Sequence, residues 1–397
     1  SNAYATSALS RMTATAVDLG EKPAVTSAIA KYHTTEMARD TLSDAMDVHG
    51  GKGIILGPRN YLGRGWQGIP VSITVEGANI LTRNLMIFGQ GAIRCHPYVL
   101  REMEAARLEN RSERVERFDS LLFEHVGYSI RNAVRSLVLG LSFGKFASVP
   151  HDRKTAKYYK KLSRYSAARA VISDVSMLIL GGKMKQKEHL SARLGDVLSY
   201  RYICSAMLKR YEAQGRPAAD QAILAWSFHN YMHRTQIALQ KVVDNVPARW
   251  MRPLIGFVVV PFGRREKAPG DRLTHRVAQL LLTPSDTRSR LSDGVFISPE
   301  SGRPVRTMEA ALPEVIRAEP LERKLLKAHK LGQIEGITWE ERLKDAVEKS
   351  VLDQNEADIL DHVRELVMEI IAVDEFTTEE LAAGRKPEPP VDTQHAA

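Results

Sequence analysis

The sequence predicts an all-α protein, and three observations carry that prediction. Apolar residues recur at the helical period over most of the 397 residues. The connectors between periodic segments are short and marked by Gly, Pro or Lys. Period-two alternation, the mark of a half-buried strand, appears only briefly, over Val71–Val75.

Taken in order, Ser1-Asn2-Ala3 reads as an expression scar and is set aside. Tyr4 then enters an apolar-periodic helix with no lead-in, as expected of a segment cut from a longer protein. Pro23 suits a helix first turn. Met37, Ala38, Leu42, Ala45 and Met46 mark one face of the helix that follows. Its stop is His49-Gly50-Gly51-Lys52-Gly53, where glycine supplies the backbone freedom of a cap and tight loop. An irregular Gly/Pro stretch, 57–70, leads through the alternating residues to Glu76 and a further helix.

Residues 101–116 form a charged helix or linker and place a domain boundary near 105. Residues 121–146, 166–180, 190–211 and 219–243 read as long helices of a second bundle, 106–248, with antiparallel neighbours. The most apolar short run, 254–262, is expected in a core; its flanking Arg249, Arg252, Arg264 and Arg265 leave a monotopic insertion as the other reading. Residues 292–304 carry turn chemistry, shorter helices continue to 383, and the Pro/Glu-rich tail 384–397 is expected to be disordered.

Charged residues make up 26% and apolar residues 44%, the balance of an ordinary globular chain. Cys95 and Cys204 stand far apart without a CxxC partner, which points to a reducing, cytoplasmic setting and away from a thiolate zinc site. No run approaches the roughly 20 apolar residues needed to span a bilayer. The net charge of +9 suits a polyanion, an anionic lipid surface or a phosphate-bearing cofactor alike. GxSxG and Walker loops are missing, which removes serine hydrolase and P-loop chemistry. His229 and His233 lie at i, i+4 with no third ligand in view, so no metal is expected.

The constellation richest in chemistry is a Gly-Gly loop followed by a lone acid. Glycines let main-chain N–H groups approach a phosphate, yet Gly-Gly is also a plain helix stop. Glu76 can cap a helix N-terminus through the macrodipole. Set among Ile73, Val75 and Ile80, it is also expected to be desolvated, and burial would raise its pKa toward that of a general base. The segment HDRKTAKYYKKLSRYSAAR interleaves basic residues with Tyr158, Tyr159 and Tyr165. It reads as a solvated helix, then as a membrane-surface contact, and last as a nucleic-acid site, for which no motif is present. Arg193 and Asp196, at i, i+3, read as a structural ion pair between bundle helices.

HGGKG (49–53), VEGANILTRN (75–84) and GQGAIR (89–94), with the upstream helix SAIAKYHTTEMARDTLSDAMDVHGG, resemble the C-terminal domain of the flavin-dependent acyl-CoA dehydrogenases, in their large bacterial long-chain form. The resemblance covers roughly the first quarter of the chain, and the remainder is similar to the helical extension of that form. It implies a C-terminal dehydrogenase bundle, incomplete at 4–105, followed by a second bundle and a helical tail region. It implies FAD as cofactor, fatty acyl-CoA as substrate, an electron-transfer protein as acceptor, a homodimer, peripheral contact with the inner membrane and no nucleic-acid partner. Glu76 is then the catalytic base that takes the α-proton of the thioester. Gly50, Gly51 and Gly53 match the loop that meets the dinucleotide, and Gly77 leaves room beside the base. Asp47, Ala78 and the Gln67-Gly68 pair depart from the usual family pattern at flavin-contact positions. The family's preceding helical and β-domains are not in this sequence, so the polypeptide alone is expected to be colourless and inactive.

Overall fold

The computed structural model describes residues 1–150, 154–300 and 302–382. Among these every regular element is a helix, as the periodicity predicts. The expected tail 384–397 lies outside the described residues.

The helices gather into two compact units that interleave along the chain. One comprises Ser1–Arg39 and Ile69–Gly294; the other comprises Asp40–Gly68 and the chain from Val295 onward. The division expected near 105 and 248 is not where the packing divides. Residues on both sides of 105 share one core, in which Tyr4, Leu9, Ile29 and Phe88 join Leu194, Met207, Phe228 and Leu239. The charged 101–116 stretch looks like a linker by composition, but it holds the end of the Val99–Ala105 helix and the start of the Arg111–Leu141 helix. Asn110 caps the latter, accepting from the N–H groups of Ser112 and Glu113.

At the centre of the larger unit stand the helices Glu188–Ala213 and Gln221–Asn245. Both bury residues around most of their circumference, which is why neither reads as amphipathic. The Ala156–Leu180 and Asn2–Asp18 helices pack beside them. The first residues, set aside as a scar, are folded in: the Ser227 hydroxyl donates to that of Ser1 at 3.1 Å. The Val71–Val75 alternation is not a strand. It is the end of the Gly63–Thr74 helix and the bend beyond it, with Pro70 inside the helix. The apolar run after Leu254 is divided: Ile255, Val259 and Val260 are buried, whereas Leu254, Phe257 and Phe262 face solvent.

The smaller unit builds its core from the helices Pro304–Lys330, Trp339–Glu348 and Gln354–Ile371. Leu325, Ile334 and Ala346 are its most enclosed side chains. Thr338 with Glu341, and Asp353 with Glu356, form reciprocal capping boxes that fix where the last two helices begin.

Candidate active site

Glu76 lies in the bend between the Gly63–Thr74 helix and the helical turn Asn79–Leu81. Its φ is +53° and that of Gly77 is +89°. The left-handed region costs a residue with a Cβ about 1–2 kcal/mol and glycine almost nothing. A strained residue persists only where its surroundings over-determine it, and such residues gather at functional sites.

Here the determinant is Lys31, on the Ala24–His49 helix. Its ammonium donates to the carbonyl of Gly77 at 2.7 Å, to Asn79 Oδ1 at 2.6 Å and to the carbonyl of Ile73 at 3.4 Å. The Ile73 oxygen belongs to the last turn of its helix, where a cation is favoured. Asn79 is buried, and its amide donates to Thr35 Oγ1 at 2.9 Å and Glu36 Oε1 at 2.8 Å. Thr82 Oγ1 adds a bond to the Gly77 carbonyl at 3.2 Å. Lys31 and Thr35, one helical turn apart on one face, thus grip both ends of the Glu76-Gly77 bend.

The expected desolvation of Glu76 is not met in this chain. The carboxylate is exposed, and Val75 and Ile80 stand in solvent with it, at 46% and 72% exposure. Alternation would have put Ile73 and Val75 on one strand face; helix end and bend place them otherwise.

Beyond Asn79 the chain widens into a π-helix, Thr82–Gln90, that buries Thr82, Ile87 and Phe88. Such turns are rare and often accompany functional sites. This one is anchored by Arg83, whose Nε and Nη2 donate to the two oxygens of Asp196 at 2.9 and 2.6 Å. The inter-helix pair expected of Asp196 exists, but its partner is Arg83 rather than Arg193. The carboxylate holds the Arg83 guanidinium above its ordinary range. Gly195 makes the approach possible: a Cβ there would sit 3.3 Å from the Arg83 carbonyl.

Two family models match the chain. The bacterial-type acyl-CoA dehydrogenase C-terminal model covers residues 93–376, and the acyl-CoA dehydrogenase C-terminal domain model covers residues 2–88. The chain belongs to the acyl-CoA dehydrogenase family. No solved structure matches it. The Glu76 bend falls within the segment matched to the dehydrogenase C-terminal domain.

The loop that the dehydrogenase resemblance assigns to the dinucleotide lies in the smaller unit. Gly50, with φ +54°, and Gly51 are exposed, and no atom lies within 4 Å of where a Cβ would stand on either. That open main chain fits close approach by a ligand. Gly53 does not fit: it is buried, with Met46 Sδ 3.2 Å from its Cβ position. Lys52 is also turned inward, donating to the Ile370 carbonyl, and burial pushes its ammonium below the usual lysine range. Asp47, the unusual acid of the preceding turn, is exposed.

The other sequence candidates resolve differently. Most of the basic segment is folded in: Tyr158, Arg164 and Tyr165 are buried, and Lys161 pairs with Glu266 at 2.6 Å. Arg153 lies outside the described residues. His233 meets the Glu266 carbonyl at 2.7 Å, and burial holds His229 below the usual histidine range. A cluster that spacing did not show joins His96, His125 and Asp174. His96 Nδ1 faces the N–H groups of Tyr98 and Val99, so Nε2 carries the proton and donates to Asp174 at 2.9 Å. The nitrogen a metal would need is thereby spent, and the cluster reads as a hydrogen-bond network completed by Glu102 on His125 and Ser129 on Asp174.

Proposed function

We propose that this chain supplies the catalytic base of an FAD-dependent dehydrogenation of fatty acyl-CoA to the trans-2-enoyl-CoA, with Glu76 taking the α-proton. The observation that supports it is the carboxylate's backbone: an acid held in a left-handed bend by Lys31, Asn79 and Thr82, in the family-matched segment. A capping acid needs no such conformation. The N–H of Glu76 would donate to the thioester carbonyl, stabilising the enolate charge that develops as the α-proton leaves. Gly77, without a side chain, leaves room for the substrate beside the acid. Val75 and Ile80, exposed here, would be covered by bound substrate, and the desolvation that raises a base's pKa would come with it. When bound, the flavin accepts the β-hydrogen as hydride. Of the Gly50-Gly51-Lys52-Gly53 loop, Gly50 and Gly51 have the open main chain that contact with a dinucleotide would need.

The test is Glu76→Gln in the dehydrogenase that carries this chain. Flavin content should be unchanged, while reduction of the flavin by a fatty acyl-CoA should fall by several orders of magnitude. Reduction at the parent rate would remove Glu76 from the chemistry.

A further inference from the structure

The Arg111–Leu141 helix is apolar on two sides. Leu121, Asn132, Ser136 and Leu139 face the core. On the far side Val126, Ile130, Val134, Val138 and Leu141 form a stripe in solvent, with Ile130 at 60% exposure. These follow one another by three or four residues, so they share a face, and no charged residue falls within it. A second exposed apolar set lies on the neighbouring Arg249–Met251 turn and Arg252–Val259 helix, where Trp250, Leu254 and Phe257 face solvent. The two elements are locked together: Ser136 Oγ donates to the Val258 carbonyl at 2.9 Å, and a Cβ on Gly140 would stand 2.9 Å from Pro261. The exposures meet at Phe143 and Phe262, whose rings stack at 5.1 Å.

Charge decides what covers this surface. Neither 125–150 nor 245–265 contains an aspartate or glutamate. The first carries Arg131, Arg135 and Lys145, all exposed; the second carries Arg249, Arg264 and Arg265, also exposed. A two-fold contact between copies would bring like charges together, which opposes that arrangement. An anionic bilayer offers hydrocarbon to the apolar stripe and negative headgroups to its basic margin. Exposed Trp250 beside Arg249 is the residue pairing favoured at a membrane–water boundary. No helix among the described residues is long and apolar enough to cross a membrane, so the contact is with one leaflet.

We propose that the outer face of the Arg111–Leu141 helix, with the adjoining Trp250–Phe262 segment, is a docking surface for anionic lipid membranes. It is distinct from the basic Tyr-rich segment that spacing suggests, and it does not depend on the role of Glu76.

The test is flotation with phosphatidylcholine vesicles, with and without phosphatidylglycerol, at low and high salt. The protein should float with the anionic vesicles at low salt and stay behind with the neutral ones. Ile130→Asp with Val134→Asp, both at exposed positions, should abolish flotation while the helical circular dichroism persists. Arg131→Gln with Arg135→Gln, which leaves the apolar stripe intact, should weaken binding about twenty-five-fold, from about fivefold per arginine. Equal flotation by parent and both variants, or no preference for anionic vesicles, would overturn the proposal. So would a lipid-free dimer that the Ile130→Asp, Val134→Asp variant dissociates, because the face would then belong to a second copy.

Discussion

Lys31 Nζ lies 2.7 Å from the main-chain oxygen of Gly77, so a helix side chain far back in the sequence sets the bend that carries Glu76. The ammonium also serves Asn79 and the last turn of the preceding helix, and removing it would take the charged donor from all three acceptors at once, leaving the Gly77 carbonyl with Thr82 alone. Lys31→Met should therefore cost about 2 kcal/mol in urea unfolding, in the range of charge-assisted hydrogen bonds. In the dehydrogenase it should slow flavin reduction at unchanged flavin content, and Lys31→Arg should restore part of the rate. An unchanged rate in Lys31→Met would show that the bend holds without the lysine.

The conformation of Glu76 separates its backbone from its carboxylate. Glu76→Gly should relieve left-handed strain and raise stability by about 1 kcal/mol while removing the acid. Glu76→Gln, which keeps the strain, should leave stability unchanged. Gly77→Ala, at φ +89°, should instead destabilise by about 1 kcal/mol or more. Chemical unfolding of the three variants in parallel checks the ordering, and a destabilised Glu76→Gly would contradict the strain.

His33 makes stability depend on pH. It is buried between Tyr32 and Tyr200, and its Nε2 has no hydrogen-bond partner. Burial, reinforced by Arg234 and Arg83, lowers its pKa from 6.5 to about 3. The folded state thus refuses a proton that the unfolded state accepts. Its contribution is complete above the unfolded pKa and declines as pH falls through it, by about 2 kcal/mol between pH 8 and pH 5. Urea midpoints across that range should fall accordingly, and His33→Leu should flatten the slope. An unaltered slope in that variant would place the titration elsewhere.

What was legible in the sequence was whatever depended on neighbours along the chain. The core helices were found because each needs a long apolar period; 190–211 lies inside the observed Glu188–Ala213. Glu76 and Gly77 stood out by motif. Their holder did not, because Lys31 is a common surface residue whose importance comes only from folding against a bend 46 residues away. Arg193 was the nearest cation to Asp196 in sequence, but Arg83 reaches it across helices. Val71–Val75 misled because a few residues of alternation fit a strand and a helix end equally well. The two units could not be read from composition, since the chain leaves one at Asp40 and returns at Ile69.

The Arg83–Asp196 pair should reveal which partner suffers more from isolation. Asp196 is 7% exposed, and burial pushes its carboxyl upward against the pull of Arg83. Asp196→Ala strands a guanidinium that is partly open to water, and should cost about 3 kcal/mol. Arg83→Met strands an enclosed carboxylate that can escape the penalty by taking a proton. A carboxyl whose folded pKa lies above its unfolded value gains stability as pH falls. The cost of Arg83→Met should therefore shrink from pH 7 to pH 5, whereas that of Asp196→Ala should not. The double variant Arg83→Met, Asp196→Leu, with neither charge buried, should recover most of the loss. Parallel pH dependence for the two single variants would show that Asp196 stays ionised without Arg83, and that water reaches the anchor of the π-helix that follows the Glu76 bend.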